Sequence, residues 1–149
     1  MMLLKTIIRD SGAQKVRGRE DLDIISICSD SRKVKKGSAF IAVKGYSTDG
    51  HNYIASALKN GAIAIIYQDE NALTAQLATI NPENDLEAKL GKIEIIENAS
   101  FVKVEDSRHA EAIIAANFYD NPSHKLTLVG ITGTNGKTTT VTLLYNMFM

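Results

Sequence analysis

Ala62-Ile63-Ala64-Ile65-Ile66-Tyr67 is an unbroken apolar run of strand length, entered directly from Asn60-Gly61, a helix stop signal. A strand that is apolar at every position has no face to give to water. It belongs in a sheet covered on both sides, and such sheets are mainly parallel. Parallel neighbours require crossover connections, and the flanking sequence supplies them. Ile24–Cys28 and Ala39–Val43 are two further compact apolar runs, while Ile54, Ala57 and Leu58 mark the inner face of a helix between the second and third runs. The pattern predicts an α/β chain with a small, mainly parallel sheet flanked by helices.

Leu3, Leu4, Ile7 and Ile8 repeat with helical spacing until Asp10-Ser11-Gly12. Leu73, Leu77 and Ile80 suit another helix, broken by Asn81-Pro82-Glu83-Asn84. Lys92–Glu97 and Phe101–Val104 read as short strands, with a possible hairpin across Asn98-Ala99-Ser100. Beyond Glu105 the period changes. Ala110, Ile113, Ile114, Asn117 and Phe118 line one helix face, capped by Asp106 or Ser107 and stopped by Asp120-Asn121-Pro122-Ser123. Leu126–Ile131 is expected as a strand and Thr138–Phe148 as a helix. The shift near Asp106 divides the chain into residues 1–106 and 107–149. The second unit, with one helix, one strand and one helix, cannot bury its own strand, so it reads as the opening of a larger nucleotide-binding domain.

Between that strand and helix stands Thr132-Gly133-Thr134-Asn135-Gly136-Lys137-Thr138. Glycines let a backbone wrap an anion, and successive N–H groups at a helix start attract phosphate oxygens. Lys137 is placed to neutralise terminal phosphates and the Thr138 hydroxyl to help hold Mg²⁺. The general phosphate-loop pattern wants glycine at position 131, which is isoleucine here, so this is a variant loop.

Composition removes other classes. Seventeen basic and seventeen acidic residues balance, which argues against a general nucleic-acid or polybasic membrane binder. The single cysteine, Cys28, forms no internal disulfide and reads as a small buried apolar residue in a cytoplasmic protein. No apolar run approaches the roughly 20 residues of a membrane span. His109 and His124 lack partners at metal-ligand spacing. His51 reads as a residue that starts a helix.

The loop, taken with two upstream blocks and the longer stretch that contains it, resembles the amino-terminal part of the Mur ligases, ATP-dependent amide-forming enzymes of peptidoglycan synthesis. The blocks are Asp30-Ser31-Arg32 with Gly37–Gly45, then Asp49-Gly50-His51 through Gly61-Ala62, then Val104–Thr140. Within the family, the resemblance is to the type that adds the third residue of the stem peptide. It implies that the first unit binds the uridine end of UDP-MurNAc-L-Ala-D-Glu and the second binds ATP and Mg²⁺. By position, Ser29, Ser31, Tyr46, Ser47 and Thr48 match the uridine site. Gly133, Thr134, Asn135, Gly136, Lys137, Thr138 and Thr139 match the ATP loop, with Thr138 toward the metal. The implied reaction phosphorylates the substrate carboxylate and lets the amine of diaminopimelate or lysine displace phosphate.

Bland readings stand beside these. Asp30 and Arg32 brace a turn as an ion pair, Ser29 and Ser31 are turn formers, and Tyr46 covers its loop. Alternative functions are the D-Ala-D-Ala-adding type of the family, a UDP-sugar-binding module without chemistry, and a generic ATPase fragment. Residues 70–100 are longer than the usual connection. The chain stops before the family's remaining Mg²⁺ ligands, carbamylated lysine and third domain, so the 149 residues alone are expected to be inactive. The last helix is expected to expose Leu143, Leu144 and Phe148 and to favour self-association.

Overall fold

The structure is a computed structural model that describes residues 1–46, 48–80, 96–127 and 129–149. In chain order, β1 (Met2–Leu3) leads into α1 (Leu4–Ile7), then β2 (Ala13–Arg17), β3 (Asp23–Ile24), β4 (Ser26–Cys28) and β5 (Ser38–Ile41). There follow α2 (Ile54–Lys59), β6 (Ala62–Tyr67), α3 (Glu70–Ile80), β7 (Ser100–Val104), α4 (Ser107–Phe118) and α5 (Lys137–Phe148). Single 3₁₀ turns occupy Ser31–Lys33, Gly50–Tyr53 and Pro122–Lys125.

Five strands form one sheet in the order β2-β7-β6-β5-β4. The pairs β4–β5, β5–β6 and β6–β7 are parallel, and only the edge strand β2 runs antiparallel. Alternation sorts each strand's side chains between two faces. Ala39, Ile41, Ala64, Ile66, Val102 and Val104 meet Leu4 and Ile7 of α1 and Ala110 and Ile114 of α4. Phe40, Ile65, Tyr67 and Phe101 point the other way, toward Ile54, Ala57 and Leu58 of α2 and Leu73 and Ile80 of α3. With each fully buried Leu or Ile contributing about 1.5–3 kcal/mol, these two layers hold the unit together.

Three expectations need correction. The run Ile24–Cys28 is not one strand: Ile24 pairs with Met2 in a separate two-stranded ribbon, while Ser26–Cys28 joins the main sheet. Ile25, between them, is 46% exposed, and its N–H donates to the Gly37 carbonyl. Second, Leu126–Ile131 forms no strand at any described position. A parallel strand takes its hydrogen bonds from neighbours, and among the described residues none lies beside this segment. The expected first strand of the ATP-binding unit is therefore absent among the described residues. Third, of the strand expected over 92–97, residues 92–95 lie outside the described residues, and the two described positions, Ile96 and Glu97, are helical.

α4 follows the composition shift near Asp106, yet Ala110 and Ile114 are fully buried in the sheet's core. Its far end is strapped down as well, since Asn117 Nδ2 donates to the carbonyls of Ile7 and Arg9 at 3.1 and 2.8 Å. The chain leaves the helix through Asp120 and Asn121, both with positive φ.

Candidate functional site

The parallel strands β4 to β7 all deliver their carboxyl ends to one rim, the usual place for a ligand in an open α/β sheet. Ser29–Arg32 follows β4. Asp30 caps the next turn, with Oδ1 accepting from Arg32 N and Nε at 3.0 and 2.9 Å and Oδ2 accepting from Arg32 NH2 at 2.9 Å. The side-chain hydrogen bonds from Arg32, then its backbone N–H, hold the Asp30 carboxyl well below its ordinary range, to about 2. The bracing role read from the sequence is what this closed pair performs. Ser31 is buried, and its carbonyl accepts from Asn60 Nδ2 at 2.9 Å.

After β5 the chain makes a tight excursion from Lys44 to Asp49, two residues joined as an antiparallel bridge. Gly45 is required there, because a Cβ would lie 2.5 Å from the Thr48 carbonyl oxygen. The foot of the excursion rests on α4: Lys44 N donates to Ser107 Oγ at 3.2 Å, and Arg108 Nε donates to Lys44 O at 2.9 Å. The Arg108 guanidinium also lies over the Tyr46 ring, 4.1 Å from its centroid, an arrangement stabilised by cation–π attraction. Asp106 caps α4 by accepting from the N–H groups of Arg108 and His109 at 2.8 and 3.2 Å. Those bonds to His109 and Arg108 lower its pKa.

His51 anchors the far side of the excursion. It is fully buried, with Nδ1 2.6 Å from Asp49 Oδ1, while Nε2 accepts from the N–H groups of Gln68 and Asp69 at 3.0 and 3.2 Å. Two donors at Nε2 make that nitrogen the acceptor, so the ring proton sits on Nδ1 and is given to Asp49. Burial raises the Asp49 pKa, but the hydrogen bonds from the His51 backbone and ring outweigh it and leave it lowered.

Ser29, Asp30, Ser31, Arg32, Thr48 and Tyr53 line a concavity of about 380 Å³ on this rim. Three sequence-predicted residues, Ser29, Ser31 and Thr48, are thus brought together. Tyr46 is not among the lining residues; it is 99% exposed and stacked on Arg108. Ser47 lies outside the described residues. Sequence reading missed Tyr53 as a lining residue and missed the Ser107–Arg108 footing. The Tyr53 signal was available in its place two residues after His51, on the same turn.

The Gly-rich loop stands apart in the sequence. Gly133 and Gly136 have φ of +142° and +77°, the region that favours glycine. Lys137 Nζ donates to the Gly133 carbonyl and, at 3.5 Å, to that of Thr134, so its ammonium sits in the mouth of the loop. α5 follows directly, and Gly133 to Thr139 are all exposed. The side chains of Val129, Ile131, Val141, Leu144, Tyr145 and Phe148 line an apolar cleft of about 470 Å³.

The sequence profile described as "Mur ligase family, catalytic domain" matches residues 23–119, well over half of the chain. The chain belongs to the Mur ligase family. Among its relatives, the "UDP-N-acetylmuramoyl-L-alanyl-D-glutamate--2,6-diaminopimelate ligase" of Cytophaga hutchinsonii is 46% identical over 99% of this chain and 26% of that protein. The enzyme of the same name from Bacteroides fragilis is 42% identical over the same shares. The chain therefore spans about a quarter of the length of the curated relatives it matches. Among solved Mur ligase structures, the MurF ligase of Thermotoga maritima in complex with ADP aligns with 32% identity and a TM-score of 0.49, over 86% of this chain and 24% of that one. Among the described residues of this Mur ligase chain, no helix is long and apolar enough to cross a membrane.

Proposed function

We propose that the chain is the uridine-nucleotide-binding part, and the opening of the ATP-binding part, of a cytoplasmic ligase that joins 2,6-diaminopimelate to UDP-MurNAc-L-Ala-D-Glu. The reading is carried by one coincidence. The residues that match the family's uridine site, Ser29, Ser31 and Thr48, share a concavity at the carboxyl rim of a sheet whose relatives carry that ligase name. Hydroxyl groups both donate and accept, which suits the alternating acceptors and donor of a uracil edge. Because α4 is part of the first core, the passage between the two units falls after Phe118.

The loop's residues fit a nucleotide tail. Positive-φ glycines leave backbone N–H groups open, and Lys137 already lies among the loop carbonyls, where a phosphate would draw its ammonium away. Thr138 offers one hydroxyl to Mg²⁺. Among the described residues there is no cluster of three or more acidic, His or Cys side chains that could hold a metal, so Thr138 is the one metal-facing group offered by the loop. When bound, ATP and Mg²⁺ supply phosphorylation of the substrate carboxylate, after which the amine attacks and phosphate leaves. This chain's part is electrostatic: Lys137 and the loop N–H groups bind and orient the phosphates. The chain spans about a quarter of its curated relatives' length, and we expect the 149 residues by themselves to bind without joining.

Titration calorimetry tests the reading. UDP-MurNAc-L-Ala-D-Glu and UDP bind the chain, and Ser31→Ala weakens both. Failure of the wild-type chain to bind any uridine nucleotide would reject the assignment. Release of ADP that depends on the dipeptide substrate and diaminopimelate would reject the claim of inactivity.

A further inference from the structure

We propose that Tyr53, and not Tyr46, is the aromatic platform on which a pyrimidine base stacks at the carboxyl rim of the sheet; this rests on the uridine reading above. Tyr53 is the one aromatic residue among the described residues that line the concavity shared by Ser29, Ser31 and Thr48. It is 44% exposed, so part of the ring is held by protein and part is open to a ligand.

Its position is set before any ligand arrives. Tyr53 ends the 3₁₀ turn Gly50–Tyr53, and that turn is tied from behind by His51. The buried ring contacts Asp49 Oδ1 and receives the N–H groups of Gln68 and Asp69, while its backbone N–H donates to Asp49 Oδ1 at 2.9 Å. A ring on such a mount loses little freedom on binding, which is how a preorganised surface gains affinity. Gly50 adds to the rigidity, since a Cβ there would lie 2.7 Å from both the N and O of Val43.

Tyr46 is arranged for something else. The Arg108 guanidinium lies over its ring, the ring stands outside the concavity, and Arg108 is itself held by Lys44 O. The excursion itself is fixed to α4 through Lys44, by Ser107 and Arg108. An aromatic face stacks on any base, so discrimination for uracil falls to the hydroxyls of Ser29, Ser31 and Thr48 around the Tyr53 ring.

The test is calorimetry of the 149-residue chain with UDP, comparing wild type with Tyr53→Ala, Tyr53→Phe and Tyr46→Ala, each checked for native thermal unfolding. Tyr53→Ala weakens UDP binding about tenfold or more, the scale for loss of a stacking ring, while Tyr53→Phe and Tyr46→Ala stay within about twofold. In the wild-type chain, uracil H5 and H6 give NOEs to the Tyr53 ring protons, assigned with Tyr53→Phe, which gives a readout even if Tyr53→Ala does not fold. Undiminished binding by folded Tyr53→Ala, or NOEs to Tyr46 in place of Tyr53, overturns the proposal while leaving the uridine reading intact. No UDP binding by the wild type removes the uridine reading and this proposal with it.

Discussion

His51 Nδ1 and Asp49 Oδ1 stand 2.6 Å apart, with the imidazole fully buried and the carboxylate at the surface edge of the same turn. The contact joins two strand ends that are distant in sequence, because the other ring nitrogen receives the N–H groups that follow β6. The carboxyl rim is thus built around a fully buried imidazole.

Replacing His51 by Ala leaves the Gln68 and Asp69 N–H groups without their acceptor and opens a cavity. We expect a loss of about 2–4 kcal/mol in urea unfolding, from unsatisfied donors at about 1–3 kcal/mol each. His51→Asn restores part of it, since an amide oxygen can accept. An unchanged unfolding midpoint for the alanine variant would contradict this account of the rim.

Asp30 gives a pH prediction. Its side-chain bonds from Arg32 hold the folded pKa at about 2, against an ordinary 3.8. A depressed carboxyl pKa favours the fold above the unfolded value, and that contribution disappears as the pH falls from about 4 through about 2. The Asp30 carboxyl ¹³C resonance should titrate near the low end of that window, and Arg32→Ala should move its midpoint up toward 3.8. A wild-type midpoint already at the ordinary value would show that the pair does not persist in solution.

Gly61→Ala tests the junction between α2 and β6. Gly61 has φ of +100°, and a Cβ would fall 2.8 Å from Lys36 Cα. Left-handed backbone alone costs a non-glycine residue about 1–2 kcal/mol, and the clash with backbone adds to it. Thermal unfolding should show a clear drop, larger than for Gly12→Ala, where positive φ is present but no atom lies within 4 Å.

The exposed apolar side of α5 gives a prediction of self-association. Val141, Tyr145 and Phe148 share one face of the helix and are 54%, 60% and 82% exposed, a surface that soluble monomers rarely display as one patch. Sedimentation velocity should show a concentration-dependent shift to heavier species, and the double change Val141→Glu with Phe148→Glu should abolish it. A strict monomer across the accessible concentration range would remove this expectation.

Much of the sheet could be read directly. β6 was evident because it is buried on both faces and so carries a continuous apolar signal, and α4 because Ala110, Ile114 and Phe118 recur at helical spacing after a good cap. β2 was not evident. Ala13–Arg17 is an edge strand, mostly exposed, and its Gln14, Lys15 and Arg17 carry no apolar pattern. Its only mark is the pair of bracketing positive-φ glycines, Gly12 and Gly18. The site divided in the same way. Ser29 and Ser31 follow a strand and could be placed on the rim from the order of elements, but which tyrosine lines the concavity could not, since both Tyr46 and Tyr53 lie on the same crossover.

By itself, the sequence determined the α/β class, the parallel core strands and a Gly-rich loop opening a helix, because burial on both faces and backbone freedom at glycine are local properties written residue by residue. Only the tertiary structure decided that Ile24 and Ser26 serve different sheets, that α4 belongs to the first core, and that the described positions of Leu126–Ile131 stay out of strand conformation. Those outcomes depend on which partner a segment finds. Hydrogen bonds between strands and contacts between faces are made across the fold, and no single stretch of chain contains them.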